Sequence, residues 1–265
     1  MKRNFYLMIC IAFSFALGLN SCKKDKPSED LEPVGDGLIQ NAVKDYDGNT
    51  YNAVKIGNQV WMASNLKTTH YADGTAITLG NMLTDVSSHT PFRYYPDNNS
   101  SLVNKNGYLY NWSAVVKGTT GSSASPSGVQ GICPTGWHVP SAAEWTELTT
   151  YLGSKSEFYC GNNSNYIAKA LATTSGWNQC SYANTVGNNQ SANNASGFAA
   201  MPAGESHQTP QYYGDNAFFW TSTPANSSPN VLMASFRSLC YYEAFVTADN
   251  EFKELGMSVR CVRDK

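Results

Sequence analysis

The clearest helix start in the chain reads Pro140-Ser141-Ala142-Ala143-Glu144-Trp145. Ser141 and Glu144 have the spacing of a capping box, in which each side chain accepts a hydrogen bond from the backbone N–H of the other residue. The apolar residues that follow on one helical face are Trp145, Leu148 and Leu152. Gly153 is suited to the position just after a helix. The sequence therefore predicts a helix, capped by Ser141 and ending before Gly153, that packs on a core.

Strand signals lie on both sides of this helix. Residues 50–56 largely alternate between polar and apolar side chains, and they lie between the turn signals Asp47-Gly48-Asn49 and Gly57-Asn58. This pattern is typical of consecutive hairpins. A weaker helix is predicted near residues 166–172. Further strands are predicted at residues 197–202, 217–223, 231–236, 241–246 and 256–263. This order predicts an α+β domain of antiparallel strands and hairpins, with two short helices and long irregular loops.

One segment of the chain is unusually rich in asparagine. Residues 162–194 hold nine asparagines, so much of this segment is predicted to be an irregular loop, which a bridge between Cys160 and Cys180 could close. Asparagine-rich loops occur both in ligand sites and in inert insertions, and the inert interpretation is favoured here.

The N-terminus has the features of an export signal. Lys2 and Arg3 precede an apolar run over residues 5–19, which suits a secretory signal and is shorter than the roughly 20 residues that cross a bilayer. Leu19-Asn20-Ser21-Cys22 follows and resembles the lipobox cut by bacterial signal peptidase II. Residues 1–21 are therefore predicted to be a lipoprotein signal peptide and Cys22 the lipid attachment site. The alternative is an ordinary secretory signal with a chance cysteine.

The segment after Cys22 is predicted to be a tether. Residues 22–36 are charged, contain two prolines and show no apolar period, so they cannot bury enough surface to fold. Because a bacterial lipoprotein carries two or three acyl chains, the anchor is expected to be stable. The chain is thus expected at the cell outer membrane, facing the periplasm or the outside, with its membrane contact made through the lipid.

The charge balance argues against a nucleic-acid partner. The chain has 18 Lys and Arg against 20 Asp and Glu, and the predicted signal removes Lys2 and Arg3 and no acid. The mature chain therefore has a net charge of about −4, whereas nucleic-acid-binding domains are basic. The four histidines are scattered singly and the cysteines lack metal-finger spacing, so a zinc site is not predicted. No other metal and no cofactor is assigned, and calcium binding stays open.

The number of cysteines limits how many disulfides the mature chain can form. Cys10 leaves with the signal and Cys22 takes the lipid, so five cysteines remain in the mature chain: Cys133, Cys160, Cys180, Cys240 and Cys261. Export makes disulfides expected. Because five is odd, at most two bridges form and one thiol is left over.

Several strings that contain rare residues occur along the chain in a characteristic order. They include Val54-Lys55-Ile56-Gly57-Asn58-Gln59-Val60-Trp61-Met62-Ala63, Gly107-Tyr108-Leu109-Tyr110-Asn111-Trp112, Cys133-Pro134-Thr135-Gly136-Trp137-His138-Val139-Pro140-Ser141, Trp220-Thr221-Ser222-Thr223 and Ser258-Val259-Arg260-Cys261-Val262-Arg263-Asp264. In this order they resemble the Fibrobacter succinogenes major paralogous domain, a family of bacterial envelope proteins. The resemblance covers nearly all of residues 37–265.

The resemblance carries further expectations. The family is similar to the wider C-type-lectin-like group, which includes the formylglycine-generating enzymes, so a C-type-lectin-like fold is expected. It also implies a Cys133–Cys261 disulfide, after which Cys160 and Cys180 remain as a local pair and Cys240 as the spare thiol. Pro202-Ala203-Gly204 replaces the family's Pro-Gly-Gly, so the turn there is expected to differ.

Binding or adhesion is the function that these features favour. The expected ligand is a glycan or a cell-surface protein, bound by irregular loops between residues 203 and 234 with Tyr212, Tyr213 and Phe218 as exposed aromatic rings. Two alternatives stay open: a structural surface protein without a small ligand, and an oxidoreductase of the formylglycine-generating type that uses Cys240 and Cys261. No catalytic residue is predicted, because His138 is interpreted as a structural histidine that bonds loop backbone.

Overall fold

Short antiparallel strands make up most of the regular structure. The computed structural model describes residues 37–228 and 231–265. The strands are β1 (Leu38–Lys44), β2 (Thr50–Ile56), β3 (Gln59–Met62), β4 (Thr78–Leu79), β5 (Phe92–Tyr94), β6 (Leu109–Tyr110), β7 (Trp137–His138), β8 (Glu205–His207), β9 (Thr209–Gln211), β10 (Asn216–Ser228), β11 (Val231–Cys240), β12 (Thr247–Phe252) and β13 (Val262–Arg263).

Four α-helices lie in the described residues. They are α1 (Val103–Asn106), α2 (Trp112–Val115), α3 (Ala142–Gly153) and α4 (Ala168–Leu171). Only α3 exceeds four residues, and 3₁₀ turns add Pro96–Asn98, Ser100–Leu102 and Gln190–Ala192. With mostly antiparallel sheets and a few short helices, the chain has the α+β fold that its sequence predicted.

The largest sheet joins strands from both halves of the chain. Its order is β1-β2-β3-β13-β7, and each neighbouring pair is antiparallel. β2 and β3 form a hairpin with Ile56 opposite Gln59. Gly57 takes the first turn position with φ +61°, a conformation that glycine adopts without steric cost and that suits the twist of a two-residue hairpin. The C-terminal strand β13 therefore lies inside the sheet, between β3 and β7, and joins the end of the domain to strands near its start.

A second sheet carries the long C-terminal hairpin. β10 and β11 pair over most of their length, and β12 adds to the other edge of β11. Two smaller sheets have the orders β4-β5-β6 and β8-β9, and the β4–β5 pair is parallel. Single bridges tie the hairpin to the rest of the domain, including Phe219 to Ser258 and Ala217 to Gly204.

The apolar face of α3 fills one of two large core clusters. Trp145, Leu148 and Leu152 are fully buried there. Their partners from the sheets and loops include Val54, Ile56, Trp61, Phe198, Phe219 and Leu239. The rings of Trp61 and Trp145 meet edge to face with centroids 4.9 Å apart, and burying each such large side chain contributes roughly 1.5–3 kcal/mol. The other cluster lies around Tyr51, Met62, Tyr110, Trp112, Trp220 and Met257.

A fully buried cation, Arg260, links the loop before β13 to two distant segments. Its acceptors are the side-chain oxygen of Asn65 at 2.7 Å, the backbone oxygens of Met62 at 3.0 Å and Ala199 at 2.7 Å, and the backbone oxygen of Phe198. The guanidinium also lies 4.6 Å from the centre of the Phe198 ring. Burial lowers the pKa of Arg260 to about 9.

The predicted helices are confirmed with two corrections. The capping box of Ser141 and Glu144 is present, and a single turn, α4, forms within the predicted second helix. Gly153, however, is the last residue of α3, and the cap is Ser154 with φ −81°. The helix runs one residue further because Ser154 continues in helical conformation. The single turns α1 and α2 were not predicted.

The strand predictions hold for three segments and fail wholly or in part for three others. Residues 50–56 are β2, and residues 217–223 and 231–236 lie within β10 and β11. Residues 241–246 form a turn instead of a strand, because Glu243 donates its backbone N–H back to Cys240. Residues 197–202 make one bridge only, at Ala200, since Ala199 adopts φ +55°. Of the predicted strand 256–263, only Val262 and Arg263 form a strand, β13, while residues 256–258 make single bridges. The supposed loops between residues 203 and 234 are largely strands β8 to β11.

Candidate functional site

An open groove of about 750 Å³ runs along the outer face of α3, and we call it the α3 groove. One wall is α3 itself, the second is the loop 163–167, and the third is the segment 245–248 that leads into β12. Arg237 of β11 also lines it. The side chains along its walls are those of Thr146, Thr149, Thr150, Ser154, Asn163, Ser164, Asn165, Tyr166, Ile167, Arg237, Phe245, Val246 and Ala248.

The helical period explains the polar wall. Residues three, four and seven apart share one face of a helix. Thr146, Thr149, Thr150 and Gly153 have this spacing, and they lie beside the buried face of α3. Thr146 donates its hydroxyl to the backbone oxygen of Ala142 at 2.9 Å, and Thr149 donates to that of Thr146 at 3.2 Å. Because each hydroxyl oxygen retains acceptor capacity, this wall can accept hydrogen bonds from a ligand.

Gly153 sets the distance between two walls. A Cβ atom at Gly153 would lie 2.7 Å from the backbone oxygen of Ser164, closer than real Cβ contacts allow. The missing side chain therefore lets the loop 163–167 approach α3. Asn163 holds that loop by accepting the backbone N–H of Asn165 at 3.0 Å. Glycine at 153 is thus explained by the close approach of the loop 163–167 to α3, and not by the helix end that the sequence suggested.

Arg237 is the charged residue of the groove. Its side chain is buried, and burial lowers its pKa. Nη1 donates to Ser235 Oγ at 3.0 Å and to the backbone oxygen of Phe236 at 2.9 Å, and Nη2 donates to that of Ala142 at 3.1 Å. No ion pair within residues 37–228 and 231–265 includes it. Its positive charge is therefore held by neutral acceptors alone.

The lining suits a ligand that carries many hydroxyl groups. Hydroxyl and amide side chains supply donors and acceptors along two walls, and the ring of Phe245 is 44% exposed. Sugars combine polar hydroxyls with apolar ring faces that gain from covering an aromatic surface. The volume lies within the range of small-molecule sites, about 300–1,000 Å³.

A second polar cluster lies at the start of α3. His138 is 3% exposed, and its Nε2 lies 2.7 Å from Glu144 Oε1 while its Nδ1 lies 2.7 Å from Asp264 Oδ1. The other oxygen of Glu144 accepts the backbone N–H groups of Ser141 and Ser127. His138 is thus buried and hydrogen-bonded, but its partners are two carboxylates instead of the loop backbone that the sequence suggested. Two flanking carboxylates favour the doubly protonated imidazolium, which donates from both nitrogens.

The pKa values of His138 and Glu144 shift in the directions opposite to those that burial alone would cause. Burial by itself would lower the pKa of His138, but the hydrogen bonds and charges of Glu144 and Asp264 outweigh it and raise the pKa. Burial would raise the pKa of Glu144, but His138 and the two backbone donors lower it. The cluster is therefore most stabilising between about pH 4.5 and 6.5, the ordinary values of the two groups. Below that window Glu144 becomes protonated, and above it His138 loses its proton.

His138→Gln is expected to lower the free energy of unfolding by about 2 kcal/mol near pH 6 and by less above pH 8. The imidazolium stabilises the fold fully below its unfolded pKa and less as the pH rises through its raised folded pKa. Urea denaturation of both proteins at pH 5.5, 7 and 9 measures the difference. His89→Gln, at an exposed position, is the matched control. A destabilisation that stays constant across this range would contradict the charged pairing.

The structure separates the three predicted aromatic residues. Tyr212 and Tyr213 are 49% and 37% exposed, whereas Phe218 is 8% exposed and packs against Phe236 in the core. Phe218 is therefore not the exposed ring that the sequence suggested, because it points to the buried side of β10. The Tyr212 ring lies 5.9 Å from that of Phe218. The groove residues, by contrast, were not singled out from the sequence.

The cysteines pair in part as expected. Cys133 and Cys261 form the disulfide that the resemblance implied, with Cα atoms 6.0 Å apart. Cys160 and Cys180 are free, so the expected local bridge is absent. The Lys169 ammonium holds this loop instead, since it donates to the backbone oxygens of Thr185, Asn188 and Asn189. Cys240 is buried and free, and Cys261 is not available to pair with it.

Some predicted features lie outside the described residues. They are the signal peptide at 1–21, the lipid site Cys22 and the tether at 22–36. Within the part of the chain that the structure does describe, no helix has the length and apolar character needed to cross a membrane. The same residues contain no cluster of three or more His, Cys, Asp or Glu side chains placed to hold a metal ion.

The fold and groove together define an α+β domain, closed by a long-range disulfide, with an open polar site on its main helix. The Fibrobacter succinogenes major domain is the family whose model matches the chain, over residues 54–263. Because this match spans most of the sequence, the chain belongs to that family, as its motifs indicated. No curated protein and no solved structure is detectably similar to the chain.

Proposed function

We propose that the chain is a lipid-anchored protein of the bacterial cell envelope that binds a glycan in the α3 groove. The anchor is Cys22 at the outer membrane, and the domain presents the groove in the periplasm or outside the cell. The observation that carries the proposal is the groove itself, an open site lined by hydroxyl and amide side chains with an exposed aromatic ring. Binding or adhesion, without catalysis, is the role of such a site.

A C-type-lectin-like fold is part of this proposal. Strands from the beginning and the end of the domain share one sheet, and the Cys133–Cys261 bridge ties the approach to α3 to the last strand. Both features support a lectin-like arrangement, in which loops and helix faces outside the main sheet are free to carry a ligand.

The α3 groove is preferred to the Tyr212 face for two reasons. Burial of Phe218 leaves only two of the three predicted rings exposed there. The α3 groove, in contrast, has three walls that can surround a sugar, and ligand sites are typically concave. Asn163 and Asn165 then have a binding role, in place of the inert insertion that the sequence favoured.

Thr149→Trp is expected to reduce glycan affinity at least tenfold, because the indole would fill the groove that the ligand occupies. The soluble fragment that begins at Lys23 is first applied to an array of plant, host and bacterial glycans. Hits are then titrated calorimetrically with the wild type and the variant. Phe245→Ala is expected to weaken binding as well, by about tenfold, which corresponds to about 1.4 kcal/mol.

Tyr212→Ala provides the matched comparison on the other face. If Tyr212→Ala abolishes binding and Thr149→Trp does not, the site is the Tyr212 face and the groove assignment is wrong. Absence of binding across the whole array at high protein density would reject the glycan-binding proposal and favour a structural envelope protein.

A further inference from the structure

The charge of Arg237 lacks a counter-ion in the described part of the chain. The side chain is 8% exposed, and its three recorded acceptors, a hydroxyl and two backbone carbonyls, are neutral. Buried charges in proteins are usually paired, because an unpaired charge loses its hydration without compensation. The position of Arg237 on the groove suggests that the compensating charge arrives with the ligand.

The guanidinium has donors left for such a ligand. Arginine carries five N–H donors in a fixed planar fork. Nη1 and one N–H of Nη2 are engaged by the neutral acceptors, and Nε forms no hydrogen bond within the described residues. Nε and Nη2 lie on one edge of the fork. Two donors on one edge match the two oxygens of a carboxylate.

The rest of the groove is compatible with an anion. Among the described residues that line it, Arg237 is the only charged one, and none of them is an Asp or Glu that would repel a carboxylate. Hydroxyl and amide groups and the exposed Phe245 ring complete the lining. This combination favours an acidic sugar over an acidic peptide, because a sugar ring can use both the polar walls and the aromatic ring.

We propose that the ligand of the α3 groove is a glycan bearing a carboxylate, and that Arg237 binds this carboxylate through Nε and Nη2. The inference rests on the proposed glycan-binding function and narrows its ligand to acidic sugars. Uronic acids and sialic acids share the required carboxylate, so both sources are tested.

The experiment compares acidic sugars with neutral partners of nearly equal shape. The soluble fragment from Lys23 is titrated with trigalacturonic acid and its methyl ester, and with sialyllactose and its methyl ester. At least one acid is expected to bind ten times or more tightly than its neutral partner. The preference should shrink as salt is added, because screening weakens the attraction between charges.

Two kinds of variant test the role of Arg237. Arg237→Gln should remove the preference for the acid. The variant should bind acid and ester with the same affinity, which is lower than the affinity of the wild type for the acid. Lys105→Gln removes a positive charge at an exposed position in α1 and should keep the preference. Because Arg237 also supports the N-terminus of α3, the fold of each variant is checked by circular dichroism and urea denaturation.

Substitution at a second position tests the charge preference without disturbing the structural contacts of Arg237. Thr150 is exposed on the wall of the groove. Thr150→Glu adds a negative charge there, and Thr150→Gln adds the same bulk without it. The acid should bind at least threefold more weakly to the Glu variant than to the Gln variant, while the methyl ester should bind both equally.

The outcomes are distinguishable. Equal affinity for acid and ester in the wild type would overturn the carboxylate inference and leave glycan binding intact. An acid preference that survives Arg237→Gln in a folded variant would also overturn it. Binding of poly-glutamate with no binding of any sugar would reject the sugar ligand itself, and with it the proposed function.

Discussion

Replacing Arg260 by methionine is expected to lower the free energy of unfolding by about 3–5 kcal/mol, because several buried acceptors are left without a donor. Four acceptors from two segments would lose their donor at once. Each unsatisfied buried group costs roughly 1–3 kcal/mol, and partial rearrangement offsets some of this. Urea denaturation followed by tryptophan fluorescence measures the change.

Two further variants make this expectation specific. Arg260→Lys keeps a charge but cannot reach all four acceptors, so its destabilisation should be intermediate. Arg263→Gln changes a half-buried arginine of β13 and should shift the free energy by about 0.5 kcal/mol or less. A loss below about 1 kcal/mol for Arg260→Met would mean that the network contributes little beyond packing.

Removing the Cys133–Cys261 bridge by a double alanine substitution is expected to cost about 2–5 kcal/mol. The bridge closes a loop with a sequence separation of 128 residues, and a cross-link over a long loop restricts the unfolded chain most. The shift in urea midpoint between the wild type and the double variant measures the loss. In addition, a reductant should destabilise the wild type by a similar amount.

The double variant is also the control for the reductant. Cys160, Cys180 and Cys240 are free in the structure, so reducing conditions should leave the stability of the double variant unchanged. If a reductant still destabilises the double variant, a second disulfide is present, and the predicted Cys160–Cys180 bridge would be supported.

Local signals predicted local structure well. The capping box at Ser141 and Glu144 needs only four consecutive residues, and it formed as predicted because both partners lie within one turn. β2 likewise follows from a run of alternating residues between two turns. These elements required no knowledge of distant contacts.

Failures arose where distant or non-repetitive contacts decide the conformation. Residues 241–246 carry strand-like residues, yet a non-repetitive turn forms directly after β11, where Glu243 donates its backbone N–H to Cys240. The expected Cys160–Cys180 bridge was inferred from proximity in sequence, whereas a buried lysine holds the loop through carbonyl groups that no motif identifies.

The α3 groove could not be predicted for a related reason. Its walls come from residues 146–154, 163–167 and 245–248, and Arg237 comes from a fourth segment. The one available signal was the threonine spacing on α3, which reads equally well as an ordinary solvent face. Tertiary packing assembles the site, so a single sequence shows its parts without their arrangement.

The separation of groove and core has an evolutionary consequence. The threonines on α3, the loop asparagines and Phe245 belong to neither large hydrophobic cluster. Substitutions at these positions therefore leave the core packing that stabilises the fold unchanged. Ligand preference can consequently diverge among members of the family while Arg260, the disulfide and the buried face of α3 stay fixed. Gly153 is the exception, because a single added methyl group would change the width available to every ligand at once.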